Sequence, residues 1–220
     1  MPRLPQTTGK IETIKQNILD NALTIISEHG LEGFSMRSLA KRLGTTATPI
    51  YNYYASKEEI YLKARARGFD ILYEEICRAA GRRKDPFLRM RAVTRAFIHF
   101  AVSNPQYYKI MLTMDMPMYD KFAGTPLENV AGEVVAASKR LIDYGHQLME
   151  EMAVRHRVVR RGDVQFQYIL WITAMHGIVS LYNNAILDGL HDHPEEILDA
   201  LADRVLTLFQ PACGRRRNHK

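Results

Sequence analysis

Residues 35–60 read SMRSLAKRLGTTATPIYNYYASKEEI. Ser35 is an N-cap for a helix over Met36 to Leu43, on which Met36, Leu39, Ala40 and Leu43 recur at helical spacing. Gly44 stops this helix, because glycine takes the left-handed conformation at no steric cost. Thr46 is placed to cap a second, short helix. Pro49 falls in its first turn, where a missing N–H costs no intrahelical bond. Ile50 faces inward, and Tyr51, Asn52, Tyr53 and Tyr54 crowd the end. Ser56 and Glu59 have the spacing of a capping box for a third helix. Helix, glycine turn, short helix is the pattern of a helix-turn-helix, which carries one rigid helix into the major groove of DNA.

The run G-x-T-x-x-x-I-Y-x-Y-Y-x-S-K-E-E-I from Gly44 to Ile60 resembles the DNA-binding signature of the TetR family of transcriptional regulators. Gly44, Tyr51 and Ser56-Lys57-Glu58 sit at the family spacing, near the N-terminus as is usual there. Tyr54 stands where the family usually has phenylalanine, and Pro49 where threonine is frequent. The resemblance implies an all-α protein that binds double-stranded DNA as a regulator, with a helical C-terminal domain.

On the reading helix, Thr46, Thr48, Tyr51, Asn52 and Tyr53 are the candidates for DNA contact. Threonine and asparagine meet base edges, while tyrosine hydroxyls usually meet phosphates. Arg37 and Lys41 lie beside it on the first short helix. Lys57 opens the third helix, where an ammonium and a helix N-terminus both suit phosphate. Tyr51 also admits a packing role against the first helix, and Lys57 a solvated one. The reading helix carries no arginine or lysine, so base reading leans on hydroxyls, methyls and DNA shape.

The 220-residue chain is 46% hydrophobic, enough for one large or two small domains with a proper core. Its formal charge of +6 favours an anionic partner, a signal that many basic proteins share. Cys77 and Cys213 lie far apart and in no metal-ligand spacing, which suits a reducing cytoplasm. The N-terminus has no signal-like apolar run, and no stretch is expected to span a membrane.

Residues 1–9 read as a flexible arm in which Arg3, with Lys10 just beyond, is placed to touch DNA backbone, and which equally suits a solvated tail. Residues 10–56 form the helix-turn-helix domain, its first helix running Ile11 to His29 with Gly30 ending it and Phe34 plugging the small core. Residues 57–84 form a linking helix and the basic turn Gly81-Arg82-Arg83-Lys84, read chiefly as a solvated loop. Residues 85–210 form a helical regulatory and dimerisation domain, with helices opened by Asp85-Pro86, Asn104-Pro105, Thr125-Pro126, Asp163 and Pro194. The helix from Asp163 is expected to reach Ile186. Arg155 to Arg161 is a basic connector, and residues 211–220 are a disordered basic tail. About nine helices and no strand run make the chain all-α.

Trp171, with His176-Gly177 five residues on, is similar to the Trp-His-Gly class of TetR C-terminal domains. The resemblance implies a domain that binds a small molecule. Phe100, Tyr107, Tyr108, Met111, Trp171, Met175 and His176 are the candidate lining residues, with Met114, Met116, Met118 and Tyr119 clustered nearby. The same residues equally suit plain core packing. His191 and His193 flank Asp192 in a turn with no third ligand at helical spacing, so no metal site is expected. No nucleophile elbow or other catalytic set appears, and no cofactor is expected.

One helix-turn-helix makes too few base contacts for useful specificity. A twofold homodimer on a near-palindromic operator is the expected solution, with half-sites about 34–36 Å apart or a multiple of that. Ile178, Leu181, Tyr182, Leu201, Val205 and Leu208 on the last two helices are its candidate interface, packed as a four-helix bundle. The reading is thus a repressor released by a small hydrophobic or aromatic ligand. The alternative is a DNA-binding regulator without an inducer, controlled by a protein partner or by concentration.

Overall fold

The computed structural model describes residues 8–112, 119–156 and 163–209. Arg3, Met114, Met116, Met118, the connector beyond His156, Cys213 and the tail lie outside the described residues, as does the Tyr119 side chain. Among the described residues the chain is helical and contains no strand. Its α-helices are α1 (Thr8–Gly33), α2 (Met36–Arg42), α3 (Thr48–Tyr51), α4 (Lys57–Ala80), α5 (Pro86–Ser103), α6 (Pro105–Leu112), α7 (Glu128–His156), α8 (Val164–Asn183) and α9 (Pro194–Thr207). They fall into two compact units, Met1–Phe69 with Gln106–Ser138, and Asp70–Pro105 with Lys139–Lys220.

In the first unit, α1 buries Ile18, Leu19, Ala22, Leu23, Ile25 and Ile26 as one apolar stripe. Gly30 breaks the helix as expected, with φ 70° inside a run otherwise helical to Gly33. Phe34 is fully buried between α1 and α2. Its removal from water is worth about 1.5–3 kcal/mol. Leu39, Ile50, Ile60 and Tyr61 complete the same core. The departure at Tyr54 also has a structural use, since its ring is buried and its hydroxyl donates to the Lys15 carbonyl at 3.5 Å.

In the second unit, α5, α8 and α9 pack on one another. Asp85 caps α5 by accepting from the Phe87 and Leu88 N–H groups at 2.9 and 3.1 Å. Met90, Val93, Phe97, Phe100 and Ala101 recur at helical spacing and are buried, and Phe87 is half-buried. From α9 come Leu198, Ala202 and Leu206. Gly145 of α7 admits the Tyr168 ring, since a Cβ there would lie 2.6 Å from Tyr168 Cε2. Two expectations need correction. α8 ends at Asn183, short of Ile186, because the chain turns through Ala185 at φ 56°. α8 is also, by length and composition, apolar enough to cross a membrane, which the sequence reading did not find. One such helix is weak evidence for a membrane, and four of its side chains, Tyr168, Trp171, Met175 and Val179, are buried within this unit.

Candidate nucleic-acid interface and regulatory unit

The helix-turn-helix is built from local hydrogen bonds. Ser35 Oγ accepts from the Ser38 N–H at 3.0 Å, and Ser38 Oγ accepts from the Ser35 N–H, closing a capping box with serine where glutamate is commoner. At the other end Gly44 has φ 66°, the Gly44 N–H donates to the Lys41 carbonyl and the Thr45 N–H to the Ala40 carbonyl. This is a complete Schellman stop, and it needs the left-handed residue the sequence supplies. The turn then delivers Ala47, not Thr46, as the N-cap of α3, with no side-chain cap bond. Thr46 is left exposed. At the start of α4, Ser56 Oγ accepts from the Glu59 N–H at 3.1 Å. The Glu59 carboxylate takes the Ala55 N–H at 2.6 Å, one residue earlier than a standard capping box would place it.

This frame turns Ile50 inward, 1% exposed, and leaves Tyr51 52% exposed. Thr48 and Asn52 are exposed, and Tyr53 and Lys57 are half-buried. Arg37 and Lys41 are exposed on α2, while Arg42 leans on Glu28 at 3.4 Å. The fold therefore brings Thr46, Thr48, Tyr51 and Asn52 to the surface of one short segment, with cationic side chains on the helices either side.

The candidate lining residues divide between the units. Tyr107, Tyr108 and Met111 are buried on α6 in the first. Phe100, Trp171, Met175 and His176 belong to the second. There Trp171 is 1% exposed, and its indole N–H donates to Thr94 Oγ1 at 2.9 Å. That hydroxyl donates in turn to the Met90 carbonyl at 2.8 Å. Trp171 is thus a satisfied core side chain. Thr94 was missed because a threonine inside an apolar helical run carries no signal of its partner.

His176 meets the Phe97 ring edge-on at 5.2 Å, and burial lowers its pKa from the ordinary histidine value. The folded state then binds the proton less readily than the unfolded chain. His176 therefore contributes stability that is full above about pH 6.5 and is lost as the pH falls from there through the folded pKa. Melting followed from pH 8 to pH 5 should show a downward step that is smaller in a His176→Gln variant. An unchanged step would assign it to other groups.

Outside these residues an open groove of about 400 Å³ lies beside the start of α5 and the end of α7, lined by Lys84, Pro86, Gln147, Glu150, Val154 and Arg155 among others. It includes none of the candidate lining residues. Asp203 of α9 accepts from both Arg91 and Arg95 of α5, which hold its carboxyl down at about 2. At the N-terminus of α9, His193, Glu195 and Glu196 bring ligand atoms within 4.8 Å of one another. Helical spacing alone supplies no third ligand to His191 and His193, and the two glutamates enter only through the turn into α9. All three are exposed and sit where the helix dipole disfavours a cation.

The architecture is that of a DNA-binding regulator with a separate helical unit. Residues 18–64 match the model of bacterial regulatory proteins of the tetR family, and residues 90–205 match a tetracyclin repressor-like C-terminal domain. The second match covers more than half of the chain, and the protein belongs to the TetR family of transcriptional regulators. An uncharacterized HTH-type transcriptional regulator of Bacillus subtilis, YobS, is 26% identical over 62% of this chain and 68% of its own length. A protein of unknown function from Rhodococcus sp. RHA1 superposes with a TM-score of 0.67 at 20% identity, covering 94% of this chain and 97% of that one. The regulator FadR of Bacillus subtilis, solved in complex with stearoyl-CoA, has a TM-score of 0.67 at 16% identity over 88% and 96%. At these identities the two structures speak for the fold.

Proposed function

We propose that the protein is a homodimeric repressor that reads a near-palindromic operator with Thr46, Thr48, Tyr51 and Asn52 and leaves it on binding a small hydrophobic ligand. The observation that carries the DNA reading is the division of one short segment, with Ile50 turned into the core and Tyr51 and its neighbours turned to solvent. Arg37, Lys41, Tyr53 and Lys57 supply the flanking contacts to phosphate. The dimer is supported by exposed apolar side chains on the last two helices, Phe166 at 66%, Ile169 at 52% and Leu208 at 57%. Of the other candidate interface residues Leu181 is exposed, and Ile178, Tyr182, Leu201 and Val205 are half-buried. An apolar effector is supported by the stearoyl-CoA in the FadR complex. The role is that of a binding protein and not of an enzyme.

The DNA reading is tested by two substitutions. Lys57→Ala removes one phosphate contact, so it should weaken binding alike on operator and random duplexes and lower the salt slope by about one unit. Asn52→Ala should change sequence preference as well, by about 1–3 kcal/mol at one base pair. Titrations at several salt concentrations separate the two, and an unchanged slope for Lys57→Ala would remove that residue from the phosphate contacts.

The burial of Trp171 and its hydrogen bond to Thr94 favour a second reading, a regulator without an inducer, controlled by a protein partner or by its own concentration. A screen of apolar and aromatic compounds decides between them. If none raises the melting temperature or releases DNA, the second reading stands.

A further inference from the structure

Arg65, in the first unit's part of α4, is a half-buried charge without a counterion among the described residues. Its Nη2 donates to the Met111 carbonyl at 3.1 Å, in the last turn of α6. Its Nε is buried and has no hydrogen-bond partner. Arg65 takes part in no ion pair among the described residues. The other arginine with a buried, unpartnered Nε, Arg89, has the Glu151 carboxylate against its guanidinium. Arg65 has no such counterion, and burial works against its charge.

Its surroundings are aromatic and soft. One turn before it, the Tyr61 hydroxyl donates to the Ile110 carbonyl at 3.3 Å. One turn after it, Gly68 lets α6 lie against α4, for a Cβ there would fall 2.5 Å from Met111 Sδ and 2.8 Å from Tyr107 Cδ1. Tyr61 and Arg65 thus hold the last carbonyls of α6, which its own helix leaves without partners. A half-buried guanidinium with one donor idle is costly until an acceptor arrives. The Nε–H and one Nη2–H form an edge of the guanidinium that matches the two oxygens of a carboxylate. Met111 is the flexible side chain that can yield to make room.

We propose that Arg65 anchors the acidic head group of the effector, which is an apolar carboxylate. The carboxylate takes Nε and draws Nη2 from the Met111 carbonyl, so binding and release of the end of α6 are one event. Because the carboxylate engages only the released form, it shifts the population of that form. This rests on the ligand-responsive reading above.

Decanoate and decanol share a tail and differ in charge at neutral pH. With the intact protein on operator DNA, decanoate should release the complex at a concentration at least about tenfold below that of decanol, as expected for a charge-assisted hydrogen bond. Arg65→Gln should bring the two compounds level. Arg65→Lys, which keeps the charge but lacks the flat edge, should lose most of the ratio. Arg67→Gln, an exposed neighbour on the same helix, should leave it intact. Circular dichroism and melting establish that each variant is folded, and should Arg65→Gln not fold, Arg65→Lys carries the test. Equal potency in the wild type, or a ratio that survives in the folded Arg65 variants, overturns the proposal and leaves ligand control standing. If neither compound releases DNA or raises the melting temperature, and the wider compound screen also fails, ligand control falls and this proposal with it.

Discussion

Leu181→Glu is expected to give a folded protein that sediments near 25 kDa, the mass of one chain, where the proposed wild-type dimer should sediment at about twice that mass. Operator affinity should fall by about a hundredfold or more, because each half-site is then read alone. Leu181 is 39% exposed, so a carboxylate there leaves the monomer core intact. It nevertheless places a charge on α8, which also exposes Phe166 and Ile169, where association through the proposed interface would have to desolvate it. Ile178 and Leu201 are half-buried, and glutamate at either strains the monomer as well, which makes them poorer probes. A wild type that runs as a single 25 kDa species at micromolar concentration would refute the dimer outright.

Trp171→Ala should lower stability by about 3–5 kcal/mol, the range for deleting a large buried aromatic side chain. Trp171 is among the largest fully buried side chains, and it packs edge-on to Tyr168 at 6.2 Å. Trp171→Phe keeps most of the volume and loses the indole N–H. Since Thr94 Oγ1 still donates to the Met90 carbonyl, its cost should be smaller, about 1–2 kcal/mol. Urea unfolding with an unchanged slope measures both. A cost under about 1 kcal/mol for the alanine variant would mean that the indole wall is not load-sharing core, and would return Trp171 to the candidate ligand residues.

The local features of this fold were legible because local chemistry sets them. Ser35, Gly44, Asp85 and the prolines at 86, 105 and 194 act within a turn of their own position, and the structure places helix ends beside each of them. Where a cap depends on the exact path of the chain, the reading slipped by a residue, as at Thr46 and Glu59. The surface of the reading segment was legible for a related reason. In a helix this short, one inward isoleucine fixes the outward face.

Relations across the chain were not legible. Thr94 and Trp171 are 77 positions apart, and Arg65 and Met111 are 46 apart. Hydrophobic periodicity marks Trp171 and Met111 as inward-facing, and says nothing about which polar side chain meets either. It likewise cannot tell that residues 106–138 gather with the N-terminal helices and not with their neighbours in sequence. A buried arginine without a counterion is invisible until the partners of every nearby carboxylate are known.

The placement of cationic side chains on α2 and α4, with only neutral side chains exposed on α3, also bears on how such a protein diverges. On the proposed reading, general attraction to the duplex and discrimination among base pairs reside on different helices. A duplicated copy can exchange Thr48 or Asn52 and acquire a new target while its grip on the polyanion, its scanning along the chromosome and its folding remain as they were. Paralogues that part company at a few α3 positions are the expected signature of that history.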